Sequence, residues 1–202
     1  MIQETGQTKL GEKGNRLNKN DKNQWLMTGD RINLRKVKES DAGGNYYRWM
    51  NDSEVTRFLE NGVQRYSIES LREYIKEKNK NSSNLFLAII IKDGKQHIGN
   101  IKLGPINWVH RYGDIGIIIG EKDQWSKGYA TEAVSLVVKY AFDKLNLHKI
   151  TAGCTKLNSG SMKAFQKNGF EIEGVREKHF FWQGKYINGI LFGLINNNYE
   201  AE

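Results

Sequence analysis

Cysteine, proline and histidine are scarce in this sequence of 202 residues, which contains one, one and four of them respectively. The single cysteine, Cys154, cannot form an internal disulfide bond. It has no neighbouring cysteine and no histidine at metal-ligand spacing, so no metal site is predicted. Because Cys154 lies in a strand-like apolar run, we expect a small buried side chain there rather than a nucleophile.

Long apolar runs are also absent. No stretch approaches the roughly 20 apolar residues that span a bilayer, and the N-terminus has no apolar core of a secretory signal. We therefore expect a cytoplasmic protein without a membrane partner. The sequence leaves the oligomeric state open, with a homodimer as one option.

Positive charge is in excess, with 31 Lys and Arg against 23 Asp and Glu, a net charge of +8 and a pI near 9.4. This excess favours anionic ligands such as nucleotides. The cations are scattered along the chain, however, and no motif of a nucleic-acid-binding module is present. Nucleic acid is therefore not an expected partner.

The length suits one domain, because typical domains have about 100 to 200 residues. Residues 1–28 are polar, have few apolar anchors and predict a flexible N-terminal extension. Regular apolar patterning follows, so the folded domain is predicted at 29–202. Its first part predicts a strand at 32–37, a helix capped at Ser40–Asp41 that runs through Met50, a short helix from Asp52 and a helix capped by Ser67.

The rest of the domain alternates strands and helices. A hairpin is predicted at 85–91 and 98–103, with its turn at Asp93–Gly94. The further elements are a strand at 112–119, a helix at 129–144, a strand at 148–154, a helix at 158–168 and two strands at 170–181 and 186–194. This order predicts an α/β (α+β) protein with a mixed, mostly antiparallel sheet.

The segment WSKGYATEA at 125–133 lies between the strand at 112–119 and the helix at 129–144. A glycine among small and polar residues lets successive backbone N–H groups turn toward one point, and the positive end of the helix faces the same point. A pyrophosphate would fit there. An ordinary strand-to-helix turn needs a glycine equally, so the segment alone leaves both interpretations open.

A second block, NSGSMKAFQKNGF at 158–170, follows the next strand. Together the two blocks resemble those of the GNAT superfamily of acyl-CoA-dependent N-acetyltransferases, over roughly residues 29–194. They are most similar to the branch of the ribosomal-protein N-terminal alanine acetyltransferases, whose blocks look like W-G-K-G-Y-A-T-E-A and N-x-x-S-x-x-x-x-x-K-x-G-F. The resemblance implies the GNAT fold, with a sheet splayed open and flanked by helices, and acetyl-CoA as cosubstrate.

The resemblance also implies the site residues. The strand before the loop would pair its backbone with the acetyl carbonyl and pantetheine, Asn158 would hold the pantetheine arm, and Ser161 would hydrogen-bond the thiol sulfur as the catalytic residue. The implied cofactor-binding set is Ile117, Ile118, Ile119, Trp125, Ser126, Lys127, Gly128, Tyr129, Ala130, Asn158, Ser161 and Lys163. Each has a structural alternative: β core for the isoleucines, a helix cap for Asn158, a first-turn backbone contact for Ser161 and plain solvation for the lysines.

Three positions depart from the family pattern. Trp125 replaces the Gln or Arg of the general phosphate loop, which the closer branch tolerates. Phe165 stands where many members place a tyrosine general acid, and Phe180 stands where the ribosomal-protein enzymes place a glutamate. The general base is therefore unassigned. The candidates are Asp114, Glu54, Glu177 and His179, or a water chain between polar groups, and His110 has the same standing. A solvated charge or a strand-edge residue is the favoured interpretation of each side chain.

In the superfamily the acceptor enters opposite the cofactor, which here implies residues 49–58, 108–112 and 179–187. Aromatic residues are abundant in these segments, so a ring could stack there, although core packing explains them equally well. The sequence predicts acetyl transfer to a primary amine, with a nucleotide-linked amino sugar or another small amine as preferred acceptor. A polyamine, a protein N-terminus and a non-catalytic acyl-CoA-binding module are the alternatives.

Overall fold

The computed structural model describes residues 25–60 and 64–199, which build one sheet with helices on both faces. Its strands are β1 (Met27–Thr28), β2 (Ile32–Lys36), β3 (Leu85–Ile91), β4 (His97–Leu103), β5 (Tyr112–Ile119), β6 (Lys149–Thr155), β7 (Glu171–Trp182) and β8 (Lys185–Ile195). Their order across the sheet is β1-β2-β3-β4-β5-β6-β8-β7. Every neighbouring pair is antiparallel except β5 and β6, which run parallel. The predicted mixed, mostly antiparallel sheet is confirmed.

Helices cover the sheet from both sides. They are α1 (Asn45–Met50), α2 (Ser53–Thr56), α3 (Ile68–Lys80), α4 (Tyr129–Asp143) and α5 (Ser159–Gln166), with short 3-10 helices at Glu39–Gly43 and Lys122–Gln124. One apolar core lies beneath α4 and α5, and a second lies beneath α1 and α3. None of the helices in the described residues is long and apolar enough to cross a bilayer.

Strand β3 shows why its sequence is apolar throughout instead of alternating. Leu87 and Ile89 pack into the core beneath α4, whereas Ala88 and Ile90 pack into the core beneath α1 and α3. A strand that is covered on both faces has no solvent-facing positions, so every residue can be apolar. The central position of β3 therefore follows from its composition.

Most predicted elements are confirmed, with ends that differ by one or two residues. The cap predicted for α3 is present, since Ser67 and Ser70 form a reciprocal capping box. The short helix predicted from Asp52 is also present as α2, and the Asp52 carboxylate accepts hydrogen bonds from its first-turn amides. Such caps satisfy amides that the helix itself leaves without partners.

The predicted cap at Ser40–Asp41 is wrong. Both residues lie inside the 3-10 helix Glu39–Gly43, and the helix that ends at Met50 begins only at Asn45. Asp41 instead accepts a hydrogen bond from the Lys38 amide at 2.7 Å. A capping box therefore exists at the expected carboxylate, but it starts the tighter 3-10 turn rather than α1.

The predicted N-terminal extension, 1–28, overlaps the folded domain at its last residues. Met27–Thr28 pair with β2 as the edge strand β1, and Met27 is buried. Residues 1–24 lie outside the described residues, so the extension stays a prediction there.

The parallel pair β5 and β6 separates along its length. The two strands are paired only from Tyr112 with Lys149 to Ile115 with Ala152. Beyond that point residues 116–119 of β5 keep β4 as a neighbour on one edge, while no strand of the described residues pairs with the other edge. The sheet is therefore open at this end of β5.

Candidate functional site

A cleft of about 550 Å³ lies where β5 and β6 separate. Its volume is within the range of about 300 to 1,000 Å³ that small-molecule sites occupy. The walls are the end of β5, the loop that leads into α4, the first turns of α4 and α5, and the segment of α2 that extends to Leu59. Among the described residues, no group of His, Cys, Asp and Glu could hold a metal ion.

The loop at 125–128 gives the cleft a wall of backbone N–H groups. Ser126 and Gly128 have left-handed backbone angles, with φ of 61° and 83°, and Gly128 caps α4 without any side-chain cap. Within the described residues, none of the N–H groups of 126–131 donates a hydrogen bond, and the first amide of α4 to do so is that of Glu132. Alternating backbone conformations and a free helix N-terminus together form an anion-binding concavity.

Arg31 and Glu132 brace this loop from behind. Glu132 Oε1 accepts from the amides of Arg31 (2.7 Å) and Ile32 (3.1 Å), and its Oε2 accepts from Arg31 Nε at 2.9 Å. Arg31 Nη1 in turn donates to the carbonyl oxygen of Lys127 at 2.8 Å, and the guanidinium lies 4.7 Å from the centre of the Tyr129 ring. Arg31 therefore fixes the Lys127 carbonyl, and the N–H groups on either side of it have no hydrogen-bond partner among the described residues.

The end of β5 supplies the second backbone surface. Ile117 and Ile119 pack their side chains into the core beneath α4, and Ile118 packs into the opposite core. All three residues line the cleft, beyond the point where the pairing of β5 with β6 ends. Trp125 Nε1 donates to the Ile119 carbonyl at 2.7 Å, so the indole closes the far end of this edge. Core packing and a ligand-facing main chain are therefore compatible at these three positions.

Helix α5 forms the opposite wall. The Asn158 side-chain oxygen accepts the Ser161 amide at 3.1 Å, so Asn158 is the helix cap, as its structural alternative predicted. Ser161 lines the cleft. Its structural alternative was a hydroxyl bonded to the backbone of the first turn of α5. Within the described residues the Ser161 hydroxyl makes no such hydrogen bond, and only the Ser161 amide is bonded there. Lys163 and Lys167 line the same wall.

The structure brings together eleven of the twelve sequence-predicted site residues, because only Lys127 is absent from the residues that line the cleft. The Lys127 ammonium donates to Gln124 at 3.1 Å. Its contribution to the loop is the carbonyl oxygen that Arg31 holds. The roles of these residues toward a ligand stay predictions.

A cluster of aromatic rings and one arginine forms the wall nearest α2. The Arg57 guanidinium lies 4.9 Å from the Phe58 ring centre and 5.5 Å from the Trp125 ring centre. The Phe58 ring lies 5.3 Å from the ring of Trp182 at the end of β7. The cluster therefore joins two of the three segments implied for the acceptor, 49–58 and 179–187, to the loop before α4.

Only one of the candidate bases lines the cleft. Glu54 does so, and its Oε2 accepts a hydrogen bond from Lys122 at 3.0 Å. Asp114 lies elsewhere on β5, where burial raises its pKa and Thr151 donates to its Oδ2 at 2.9 Å. Glu177, His179 and His110 are exposed and are not cleft residues.

Cys154 is less buried than the sequence predicted, and a role other than a nucleophile stays a prediction. It is partly buried, and this burial raises the pKa of its thiol to about 11. At neutral pH the thiolate fraction is therefore very small, and the thiolate is the reactive form.

Sequence reasoning missed the roles of Arg31, Glu132 and Arg57. Glu132 belongs to the quoted loop block, but its partner Arg31 is 101 positions away, and no local pattern links the two. Arg57 follows a very short helix in a polar segment and has no motif of its own. Only the folded chain shows these contacts.

Comparison with known proteins identifies the family. Residues 31–171 match the family model described as acetyltransferase (GNAT) domain. This chain belongs to the GNAT acetyltransferase family. The spermidine N(1)-acetyltransferase of Escherichia coli (strain K12) is 31% identical over 173 residues, which is 86% of each chain.

Two solved structures share the fold. Spermidine N-acetyltransferase from Vibrio cholerae in complex with CoA and spermine has a TM-score of 0.75 and 24% identity, over 84% of this chain and 98% of that one. Ribosomal-protein-S5-alanine acetyltransferase from Vibrio fischeri has a TM-score of 0.74 and 22% identity, over 87% and 100%.

As a GNAT member the protein is an N-acetyltransferase with acetyl-CoA as its cosubstrate, which confirms the predicted enzyme class. Its relatives include polyamine and ribosomal-protein enzymes alike, so the predicted ribosomal-protein branch stays a prediction.

Proposed function

We propose that this protein transfers the acetyl group of acetyl-CoA to a primary amine on a small molecule. The single observation that supports this most is the set of free N–H groups at 126–131 beside an unpaired edge of β5. A diphosphate at the loop would direct the pantetheine arm along β5 toward Ser161. Arg57 and Phe58, from the segment implied for the acceptor, line the same cleft.

The chemistry needs few side chains. Acetyl-CoA brings an acetyl thioester, which the amine nitrogen attacks while the thiolate departs. The amides of 126–131 hold the diphosphate, the β5 edge orients the carbonyl, and the Ser161 hydroxyl donates a hydrogen bond to the departing sulfur. The amine must arrive without its proton or lose it to water in the cleft, because Glu54 already accepts a hydrogen bond from Lys122.

The acceptor is less constrained than the reaction. The nucleotide-linked amino sugar that the sequence favoured has no support from the spermidine and ribosomal-protein relatives. A polyamine is the alternative that the 31% identity to the Escherichia coli spermidine enzyme favours. A protein N-terminus follows from the two sequence blocks, but Phe180 at the position of the ribosomal-protein glutamate weakens it. The resemblance to the ribosomal-protein branch therefore supports the acetyl-CoA site more strongly than it supports a protein N-terminus as acceptor.

The test is release of free CoA thiol from acetyl-CoA in the presence of an amine panel. The panel contains spermidine, glucosamine, a nucleotide-linked amino sugar and a peptide that begins with alanine. We expect at least one amine to accelerate thiol release, with an acetylated product confirmed by mass spectrometry, and we expect Gly128→Val to abolish it. Acetyl-CoA binding without acceleration by any amine would contradict the proposal and favour a non-catalytic acyl-CoA-binding module.

A further inference from the structure

The charged side chains of the cleft are almost all cationic. Among the described residues that line it, Arg57, Lys163 and Lys167 are positive, and Glu54 is the only acid. Lys163 and Lys167 lie on α5, on the side of the phosphate loop. Arg57 belongs to the segment 49–58 implied for the acceptor, and its guanidinium also contacts Trp125 at the start of the loop. A cationic acceptor would therefore meet a fixed positive charge on its own wall.

The one acid of the cleft already has cationic partners. Glu54 Oε2 lies 3.0 Å from Lys122 Nζ, and its Oε1 lies 3.9 Å from Arg57 Nη1. The same Lys122 ammonium lies 2.8 Å from the neighbouring Asp52 carboxylate. A polyamine needs carboxylates for its distal ammonium groups. Each ammonium group loses hydrating water when it enters the cleft, and a carboxylate of opposite charge compensates for that loss. The described lining of this cleft offers no carboxylate without a partner for that purpose.

Arg57 has the features of an anion-binding group. The rings of Phe58 and Trp125 contact its guanidinium and limit the positions it can adopt. A guanidinium has five N–H donors in one plane, and the only ion pair of Arg57 within the described residues is the long contact with Glu54. Most of these donors are therefore available, in a fork that fits a carboxylate or a phosphate.

On the basis of the proposed function, we infer that the acceptor is an amine whose molecule also bears a carboxylate or phosphate group, which Arg57 binds. The Phe58 ring, which packs against the Trp182 ring, supplies an apolar surface for the body of that molecule. Polyamines are poor acceptors for this chain, although its relatives include spermidine acetyltransferases. The charge of the acceptor wall thus sets the substrate class of this enzyme apart from that of those relatives.

Matched acceptors test the inference. Glucosamine 6-phosphate is compared with glucosamine, tyrosine with tyramine, and both pairs with spermidine, by kcat/KM at fixed acetyl-CoA. The first pair isolates a phosphate and the second a carboxylate. We expect at least one anionic member to exceed its uncharged or cationic counterpart by about tenfold or more, as charge-assisted recognition of an anion provides, and spermidine to be the weakest acceptor.

Variants then assign the preference to Arg57. We expect Arg57→Gln to lower kcat/KM for the anionic acceptor about tenfold more than for its counterpart, and Arg57→Lys to retain part of the preference, as the charge remains. The KM for acetyl-CoA controls for damage to the rest of the cleft. Arg72→Gln, at an exposed arginine of α3, is the matched control and should keep the wild-type preference.

The outcomes separate this inference from the proposed function. Preferred acetylation of spermidine or of the counterparts that lack the anionic group, or an equal loss for both members of a pair in Arg57→Gln, overturns the inference while the amine acetyltransferase stands. Thiol release that no amine accelerates overturns the proposed function itself. Selectivity for an anionic acceptor that Arg57→Gln reduces supports both.

Discussion

The two walls of the cleft use different parts of the chain. The cofactor wall is mostly main chain: the free amides of 126–131, the open edge of β5 and the capped start of α5. The wall proposed for the acceptor is mostly side chain: Arg57 and Phe58 line it, and the Phe58 ring packs against Trp182 from the last hairpin. Backbone recognition requires a few glycines and small residues in a fixed order, which a motif records. Side-chain recognition varies freely, so it differs among enzymes that share the same fold.

The largest expected effect comes from closing the backbone cradle. Gly128→Val places a β-branched residue at φ 83°, where a Cβ would also lie 3.3 Å from Arg31 Nη2. We expect acetyl-CoA affinity to fall about 100-fold, since several phosphate contacts of about 1 kcal/mol each would be lost together. Isothermal titration calorimetry measures the change.

Gly94→Val is the control for Gly128→Val. It imposes a similar backbone conformation, with φ 71°, in the turn between β3 and β4, where a Cβ would meet no atom within 4 Å. Its cost should appear as a lower melting temperature and not as weaker binding. Equal losses of affinity in the two variants would contradict a specific role for the loop.

The next smaller effect is expected from removal of the Ser161 hydroxyl, where the proposed cofactor and acceptor sites meet. We expect Ser161→Ala to lower kcat about 10- to 100-fold while the Kd for acetyl-CoA stays within about twofold, because a hydrogen bond to the departing sulfur forms fully only in the transition state. Pre-steady-state thiol release separates chemistry from binding. Ser135→Ala removes a hydroxyl from an exposed position of α4 that does not line the cleft, and should leave kcat near the wild-type value. An unchanged kcat in Ser161→Ala would remove Ser161 from the mechanism.

Loss of the contacts that Arg31 makes with Glu132 and the loop should have an intermediate effect, and only on acetyl-CoA binding. Removal of the Arg31 side chain frees the Lys127 carbonyl and breaks the ion pair with Glu132. We expect Arg31→Ala to raise the KM for acetyl-CoA about tenfold without changing the order of preference among acceptors. Steady-state kinetics with both substrates varied gives the split, and Arg72→Ala is the matched control. A change in acceptor preference with an unchanged KM for acetyl-CoA would contradict the proposed role of Arg31 at the cofactor loop.

The smallest expected effect concerns His97, the first residue of β4, which lies outside the lining of the cleft. Its ring contacts Trp49, and its Nε2 lies 2.9 Å from Asn100 Oδ1. Burial lowers the pKa of His97 below its ordinary value of 6.5, so the unfolded chain takes up this proton at a higher pH than the folded chain. The contribution of neutral His97 to stability is complete above pH 6.5 and decreases as the pH falls below it.

We therefore expect thermal unfolding of His97→Gln to depend less steeply on pH between about 7 and 5 than that of the wild type. His110→Gln, at an exposed histidine, should keep the wild-type slope. Identical slopes in the His97 variant and the wild type would show that His97 does not contribute to the pH dependence.

The sequence predicted the cofactor wall better than the acceptor wall for a physical reason. Gly128 and Asn158 act through their own backbone or the turn beside them, so neighbouring residues in the sequence are neighbours in the site. Strand β3 was predictable because burial on both faces leaves a continuous apolar run. The start of α1 was not, because Asp41 caps a 3-10 turn with the same residue pattern that caps an α-helix.

Contacts between distant segments were beyond the sequence. Arg31 and Glu132 are separated by 101 positions, and the contact of Phe58 with Trp182 joins α2 to the last hairpin. Each of these side chains could instead be exposed to solvent on the surface of the protein. Tertiary structure selects among them, so a single sequence gives no signal for the pair.

The most direct test of the central claim is titration of the 15N-labelled protein with CoA, with the backbone amide signals of 126–131 observed by NMR. If this loop holds the diphosphate, these amides shift most, and Gly128→Val removes the shifts. If CoA binds while the signals of 126–131 stay in place, the phosphate seat is elsewhere and the account is wrong.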